Sequence, residues 1–354
     1  MTAPLLSACL IVRDEEKNLP RCLESLRGWV DTVHIEDTGS EDRTVQIARE
    51  LGAEVHHNPW QRSFCLHRNS VFARARGRFV LTIDADEEVV ETDTAETRAR
   101  LAEDRGLPDV LLVRNILRYP LGRRLSVYVP RILRRSSGFR WVFPIHEQLD
   151  ADDAPAAPTN VTLMHHGYAE PGALEAKERR NLAIAEAMEP RGVHALHCIV
   201  RSAFYLRQWE KTVATAYQLL SVCRNPTLVE EACALGAAAA VNVRDTAAVT
   251  YLTAYGLALS PQNPDLLMMQ SVATLGRYLH GLRDGDSTAG GSTMRPPLFW
   301  HDAANVRSAI QSVLGATLGG DPVSAGPEST APVSVSPKEA PLLNPQGDVT
   351  WPKS

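Results

Sequence analysis

The sequence predicts an α/β fold, a mixed sheet flanked by helices and followed by an α-helical repeat region, and three observations predict it. Up to about residue 84, short β-rich apolar runs alternate with amphipathic stretches, the signature of strand–helix–strand units. From about Val110 to Met164 the chain is mostly strand-like runs and loops. After Glu170 it becomes alanine-rich and helical through about Leu282, with Pro190, Pro226 and Pro261 spaced close to the 34-residue period of tetratricopeptide helix pairs.

Taken in order, Leu5–Val12, Thr32–Ile35, Ala53–His56 and Phe79–Ile83 are the first strands, and Leu19–Arg27, Asp42–Leu51 and Ser63–Ala75 the helices between them. Phe64, His67, Val71 and Ala75 recur at helical spacing, and Pro20 suits a first helical turn with Asn18 as its cap. This alternation implies parallel strands with right-handed crossovers, whose ligands gather at the strands' carboxyl ends. Val110–Leu117, Leu125–Leu133 and Thr159–Met164 supply the second half of the sheet. Helices at Ala195–Arg207, Glu210–Val222, Leu228–Val241 and Thr246–Leu259 form about two repeats, which bury by stacking the face that neither buries alone. Residues 285–291 and 319–354 are rich in Gly, Ser, Pro and Ala and read as linker, with a short helix at Asp302–Leu314. The expected domains are therefore 1–168, 169–282 and 283–354.

With 354 residues, 44% of them hydrophobic, the chain can bury one large or two ordinary cores. A net charge of −5 and the lack of a basic stripe argue against nucleic acid as a partner. Cys9, Cys22, Cys65, Cys198, Cys223 and Cys233 sit in apolar patterns without metal-ligand spacing, as reduced thiols of a cytoplasmic protein do. The amino-terminal segment lacks the basic start of a signal peptide, and no run of 18 apolar residues predicts a transmembrane span.

Chemistry concentrates at the predicted strand ends. Asp84-Ala85-Asp86 follows the apolar run Phe79–Ile83, and in an extended segment this spacing puts both carboxylates on one side. They suit a hard divalent ion, Mn²⁺ or Mg²⁺, that also bridges a diphosphate; a solvated acidic turn is the plainer alternative. Asp37 ends the second strand before Thr38-Gly39-Ser40, where a carboxylate can accept hydrogen bonds from a base or ribose, while Ser40 or Asp42 caps the next helix. Arg13-Asp14-Glu15-Glu16-Lys17-Asn18 follows the first strand and reads equally well as a nucleotide contact or as a charged loop with a cap.

Leu10-Ile11-Val12-Arg13-Asp14-Glu15-Glu16-x-Asn18-Leu19, Asp37-Thr38-Gly39-Ser40, Trp60-x-x-x-Phe64 with Arg68-Asn69, and Asp84-Ala85-Asp86-Glu87 together resemble the ordered signature of the family 2 glycosyltransferases. Arg131-Ile132-Leu133-Arg134, Ile145-His146-Glu147-Gln148-Leu149, His165-His166-Gly167-Tyr168 and Lys177-x-x-Arg180-Asn181-Leu182 resemble its bacterial branch with tetratricopeptide-like helices. The resemblance implies a GT-A fold, the mixed sheet of nucleotide-diphospho-sugar transferases, and an inverting reaction. By position it implies that Glu15 and Asp37 bind the nucleoside, that Arg68 lies near the diphosphate or the acidic pair, that Asp84 faces ribose or metal, and that Asp86 is the direct metal ligand. Glu36, Glu41, Arg43 and Pro144 depart from the usual pattern.

Inversion needs a base to take the acceptor's proton while the leaving diphosphate is stabilised from the opposite side. Glu147 is the candidate base, with His146, or failing it His166, completing the metal shell. The alternative is that His146-Glu147 pairs with arginines such as Arg131 to tie two loops. Trp60 and Trp141 either stack on sugar or pack the core, core packing being favoured. The expected activity is transfer of a sugar from a nucleotide diphosphate, UDP-linked, to a peptide, protein or glycan acceptor, with the helical region also offering a homodimer surface. Two rivals are an inactive scaffold whose repeats bind a protein, and a sugar nucleotidyltransferase. The latter calls for a basic glycine-rich loop after the first strand, where this chain has acids.

Overall fold

The computed structural model describes residues 3–90, 94–118, 124–151, 154–167 and 173–283, with two short strands at Leu342–Leu343 and Val349–Thr350. The helix expected at 302–314, the linkers at 285–291 and, apart from those two strands, 319–354 lie outside the described residues, as does Tyr168.

Leu6–Val12 (β1), Thr32–Asp37 (β2), Glu54–His57 (β3) and Phe79–Thr82 (β4) alternate with helices Leu19–Leu26 (α1), Thr44–Glu50 (α2) and Phe64–Arg74 (α3). β1 and β4 are apolar on both faces, with Leu6, Ala8, Leu10, Phe79, Val80 and Leu81 fully buried, which suits central parallel strands covered by helices on both sides. α1 shows why its segment becomes a helix. Leu19, Cys22, Leu23 and Leu26 recur at three and four residues and are all buried, and Pro20 occupies the first turn, where its missing N–H costs nothing. Asn18 makes no side-chain cap; its amide donates to Glu15 Oε2 instead.

The chain continues through Glu87–Val90 (β5), Thr94–Glu103 (α4), Val110–Arg118 (β6), Arg124–Arg134 (β7), Arg140–Val142 (β8), Gln148–Asp150 (β9) and Ala156–His165 (β10). The eight-stranded order is β3-β2-β1-β4-β7-β6-β10-β5, with β8 and β9 forming a separate hairpin. β3, β2, β1 and β4 run parallel, and β7 enters antiparallel beside β4. β10 then runs parallel to β6 and antiparallel to β5. This is the mixed, helix-flanked sheet expected of a GT-A fold. Val12 pairs with Asp37 and Cys9 with Thr82, so the carboxyl ends of β1, β2 and β4 share one edge.

Helices Ala173–Glu186 (α5), Val193–Tyr205 (α6), Trp209–Val222 (α7), Pro226–Asn242 (α8), Thr246–Leu259 (α9) and Pro264–Arg283 (α10) follow. Connections of three or four residues from α6 to α10 make consecutive helices antiparallel neighbours. Their shared core is unusually fine-grained: Ala216, Ala232, Cys233, Ala237, Ala239, Ala240 and Leu252 are buried, and Gly236 lets α8 approach Ala216 and Leu252 too closely for any side chain of its own. These helices have the character of tetratricopeptide pairs. A smaller core of Ile145, Leu182, Ile184, Ala185, Cys198 and Ile199, with Trp60 and Phe64 beside it, seats α5 and α6 against the loop between β8 and β9. Among the described residues no helix is long and apolar enough to cross a membrane.

Candidate functional site

β4 delivers the acidic pair to the sheet edge. Asp84 meets two guanidiniums, Arg68 Nη2 at 3.4 Å and Arg131 Nη2 at 3.3 Å, from α3 and β7 respectively. Arg131 also donates to the fully buried Glu87 at 2.5 Å, and Asn115 donates to the same Glu87 oxygen at 2.7 Å. Desolvation favours a neutral Asp84, but Arg131 and Arg68 overcome it and hold this carboxyl well below its ordinary range. Asp86 is in the opposite condition. Burial and the neighbouring Asp84 raise its carboxyl above the ordinary value, against His165 and Lys177. One carboxylate is thus neutralised by protein cations and the next is short of positive charge. A divalent cation fits that deficit: two neighbouring carboxylates are oxygen donors of the kind Mn²⁺ or Mg²⁺ takes.

The geometry over Asp86 comes from β5 and β10. Their antiparallel register sets His165 opposite Glu87 and Met164 opposite Glu88. His165 Nε2 consequently stands 3.7 Å from Asp86 Oδ2, the His166 N–H donates to the Asp86 carbonyl at 2.9 Å, and the His166 ring binds Glu88 at 2.9 Å. A side chain on Gly167 would meet Asp86 Oδ2 at 2.0 Å, so any larger residue there would displace the carboxylate. Of the two histidines, His165 is the one facing Asp86, and His166 is turned to Glu88.

Asp37 ends β2 almost fully buried, accepting from the Ser40 N–H at 3.1 Å and paired with His57 Nδ1 at 3.0 Å. The acidic loop after β1 is stitched to the turn after β2. Asp14, Glu15 and Glu16 donate backbone N–H groups to Ser40 Oγ, Thr44 Oγ1 and Asp42 Oδ2, and Glu41 and Arg43 return N–H bonds to Asp14 and Glu16 carboxylates. Asp14 has φ 53° there, a left-handed conformation that Asp tolerates better than most residues. Ser40 and Asp42 therefore serve the neighbouring loop as well as their own turn; Asp42 Oδ1 also accepts the first helical N–H of Thr44 at 2.9 Å. Glu15 turns back toward the acidic pair, and burial followed by Asp86, Asp84 and Asp42 raises its carboxyl to about 7 although Asn18 donates to it.

Glu147 lies on the loop between β8 and β9. Arg68 donates to its Oε1 from Nε at 3.0 Å and Nη2 at 2.7 Å, and packs its guanidinium 5.0 Å from the centroid of the buried Trp141. The arginine that ties this loop is thus Arg68, while Arg131 serves Asp84 and Glu87. Asn69 holds β8 reciprocally, each bond to the Trp141 backbone being 2.8 Å. His146 adopts φ 48° on this loop. The ring is exposed at the surface, and partial loss of its hydration, with Arg201, His194, Lys177 and His197 around it, moves its imidazole below the ordinary value. Lys177 acts on both His146 and Asp86. Trp60 stacks on His67 at 5.1 Å and packs edge-on to Phe64, the core role favoured from the sequence.

His165, Gly167 and the buried pair Glu36–His67 were not singled out as interacting groups by the sequence, and Arg131 was expected beside His146-Glu147, whereas it binds Asp84 and Glu87. Glu36 Oε1 binds His67 Nδ1 at 2.7 Å with both side chains fully buried, and the Gln61 N–H donates to Nε2, which puts the imidazole proton on the side facing Glu36. The unusual acid at 36 therefore has its partner on α3. Its only sequence signal was the histidine on the inward stripe Phe64, His67, Val71.

Residues 7–116 match the family model described as Glycosyl transferase family 2. The chain is 37% identical over 174 residues to a TPR repeat-containing protein of Synechococcus elongatus, covering 46% of this chain and 42% of that protein. It is 34% identical over 84 residues to an uncharacterized glycosyltransferase of Rickettsia felis, covering 24% and 29% of the two chains. The chain spans less than half the length of these curated relatives. Among solved structures, S. aureus TarS 1–349 matches 77% of this chain and 92% of that one at 15% identity, with a TM-score of 0.38. The stretch whose strand ends carry Asp37, Asp84 and Asp86 is thus the part of this chain that is similar to the family 2 glycosyltransferases.

Proposed function

We propose that this chain is an inverting glycosyltransferase that moves a sugar from a UDP-linked donor to a peptide, protein or glycan acceptor with the help of a divalent metal. The observation that carries the reading is the unequal state of the two aspartates after β4. Arg68 and Arg131 neutralise and fix Asp84, whereas Asp86, with its raised carboxyl, is left as the group that gains from a cation. Asp86, with Asp84 beside it and His165 3.7 Å away, would hold Mn²⁺ or Mg²⁺, and His146 is the further candidate ligand. Such an ion offsets the charge that develops on a leaving diphosphate.

The chain's own residues take the remaining roles. Asp37 and Glu15 orient the nucleoside, and Arg68 directs positive charge toward the diphosphate while it fixes Glu147. Both Arg68 bonds go to Oε1 of Glu147, so Oε2 is the atom assigned to take the acceptor's proton. The helical region holds the acceptor or a second copy of the chain. All six cysteines are free and five are buried, which supports a reducing compartment, the cytoplasm.

The test is a panel of nucleotide sugars with Mn²⁺, followed by mass spectrometry of donor hydrolysis and acceptor products. Asp86→Ala is expected to lower turnover at least about 100-fold while keeping the wild-type circular dichroism. Full activity in that variant would sink the metal assignment. Glu147→Gln with wild-type turnover would remove Glu147 from the mechanism, and a wild-type chain that binds a protein but hydrolyses no donor would favour the scaffold.

A further inference from the structure

His34 of β2 and Glu54 and His56 of β3 meet on one face of the two outermost parallel strands. The register pairs His34 with Glu54 and Glu36 with His56, and alternate residues of a strand share a face. One ligand atom from each of His34, Glu54 and His56 lies within 4.8 Å of the other two, the only such trio of metal-ligating side chains among the described residues. The two imidazoles stack at 6.3 Å with planes 10° apart, and His34 Nδ1 is 3.6 Å from Glu54 Oε2.

A second observation points to a ligand. His34 is 1% exposed, yet neither of its ring nitrogens has a hydrogen-bond partner, and Nε2 of His56 lacks one too. A buried polar atom left unpaired costs about 1–3 kcal/mol, and such atoms in folded proteins call for an explanation. Here three of them belong to imidazoles gathered at one carboxylate.

We propose that His34, Glu54 and His56 form a binding site for a zinc-like transition-metal ion, separate from the acidic pair after β4. Two imidazoles and one carboxylate suit Zn²⁺, whereas Mg²⁺ and Mn²⁺ prefer all-oxygen sets. Bonds of about 2.0–2.2 Å place tetrahedral ligand atoms roughly 3.4 Å apart, so the half-buried Glu54 and His56 close in by about an ångström while His34 stays fixed. Arg76, which now pairs with Glu54, is 60% exposed and is displaced at little cost. Water takes the fourth position. The ion pins edge strand β3 to β2 just below the Asp37–His57 pair that ends them, and so steadies the proposed nucleoside end of the site.

The test uses the full chain, stripped with chelator and titrated with Co²⁺ as a spectroscopic probe and then Zn²⁺ as competitor. One equivalent of Co²⁺ is expected to give a tetrahedral ligand-field band that Zn²⁺ abolishes, with Zn²⁺ at a hundredfold excess over Kd raising Tm by about 5 °C. Glu54→Gln, nearly isosteric, and His56→Asn should each weaken Co²⁺ binding at least tenfold, and Asp86→Asn should keep the band. A wild-type chain showing neither band nor Tm rise overturns the proposal, as do Glu54→Gln and His56→Asn variants that titrate like wild type. Loss of the band in Asp86→Asn alone does the same, since the ion then belongs to the acidic pair.

Discussion

Glu15 sits where the loop after β1 turns toward three other carboxylates, and its folded-state value of about 7 lies above the ordinary 4.5. The folded chain therefore holds this proton more tightly than the unfolded chain. Stability from this group is fully present below about pH 4.5, declines as pH rises to about 7, and stays low above it. Glu15→Gln removes the penalty, so urea unfolding at pH 8 should show a gain on the order of 1–3 kcal/mol, shrinking toward zero at pH 4.5. An equal change at both pH values would mean that packing, not charge, decides the effect. Asp84 and Asp86 show the same logic two residues apart: with arginines beside it a half-buried carboxylate ionises readily, and without them it gains from a cation. The sequence shows the acids but not their charge state, because Arg68 and Arg131 arrive from 16 and 47 residues away.

At the scale of elements, strands β1 to β4 and the helices between them were legible because long apolar runs and helical periodicity survive any tertiary context. β5 was not. Glu87-Glu88-Val89-Val90 was assigned no element, and it becomes a strand because β10 lies alongside and buries Glu87 against Arg131 and Asn115. That unread pairing is what lays His165, His166 and Gly167 over Asp86. It leads to a prediction no motif supplies. In Gly167→Ala the new methyl would sit 2.0 Å from Asp86 Oδ2, so the carboxylate must swing away from its place between His165 and Asp84. Mn²⁺-dependent turnover should fall at least about tenfold, approaching the Asp86→Ala variant, with Tm lowered by no more than a few degrees. Wild-type turnover in Gly167→Ala would show that the position of Asp86 is unimportant. His34, Glu54 and His56 were illegible for the same reason: their meeting depends on the register of β2 against β3, which sequence spacing does not state.

Across the whole molecule, the helices that follow the sheet do more than extend it, because they hold the loop on which the proposed base rides. Ile145 is buried among Leu182, Ile184, Ala185, Cys198 and Ile199 of α5 and α6. From α6, His194 donates its Nε2 proton to the Ile145 carbonyl at 2.8 Å, and its ring stacks on Phe143 at 3.9 Å with planes 11° apart. The next two residues of that loop are His146 and Glu147, the latter reaching back to Arg68 on α3. Glu147 is thus held from two sides, by the catalytic sheet's own helix and by the first helices of the repeat region. His194→Ala removes the hydrogen bond and the stacked ring from one side only. It should cost about 1–2 kcal/mol of stability, while the loosened loop lowers kcat about tenfold and leaves the KM for donor within about twofold, since the proposed donor contacts lie at the ends of β1, β2 and β4 and on α3. If kcat is unchanged and only Tm falls, the loop stands on Arg68 alone and the helices serve the acceptor or a partner instead. If KM for donor rises with kcat intact, the loop touches the donor rather than the reacting hydroxyl, and Glu147 passes from base to donor ligand.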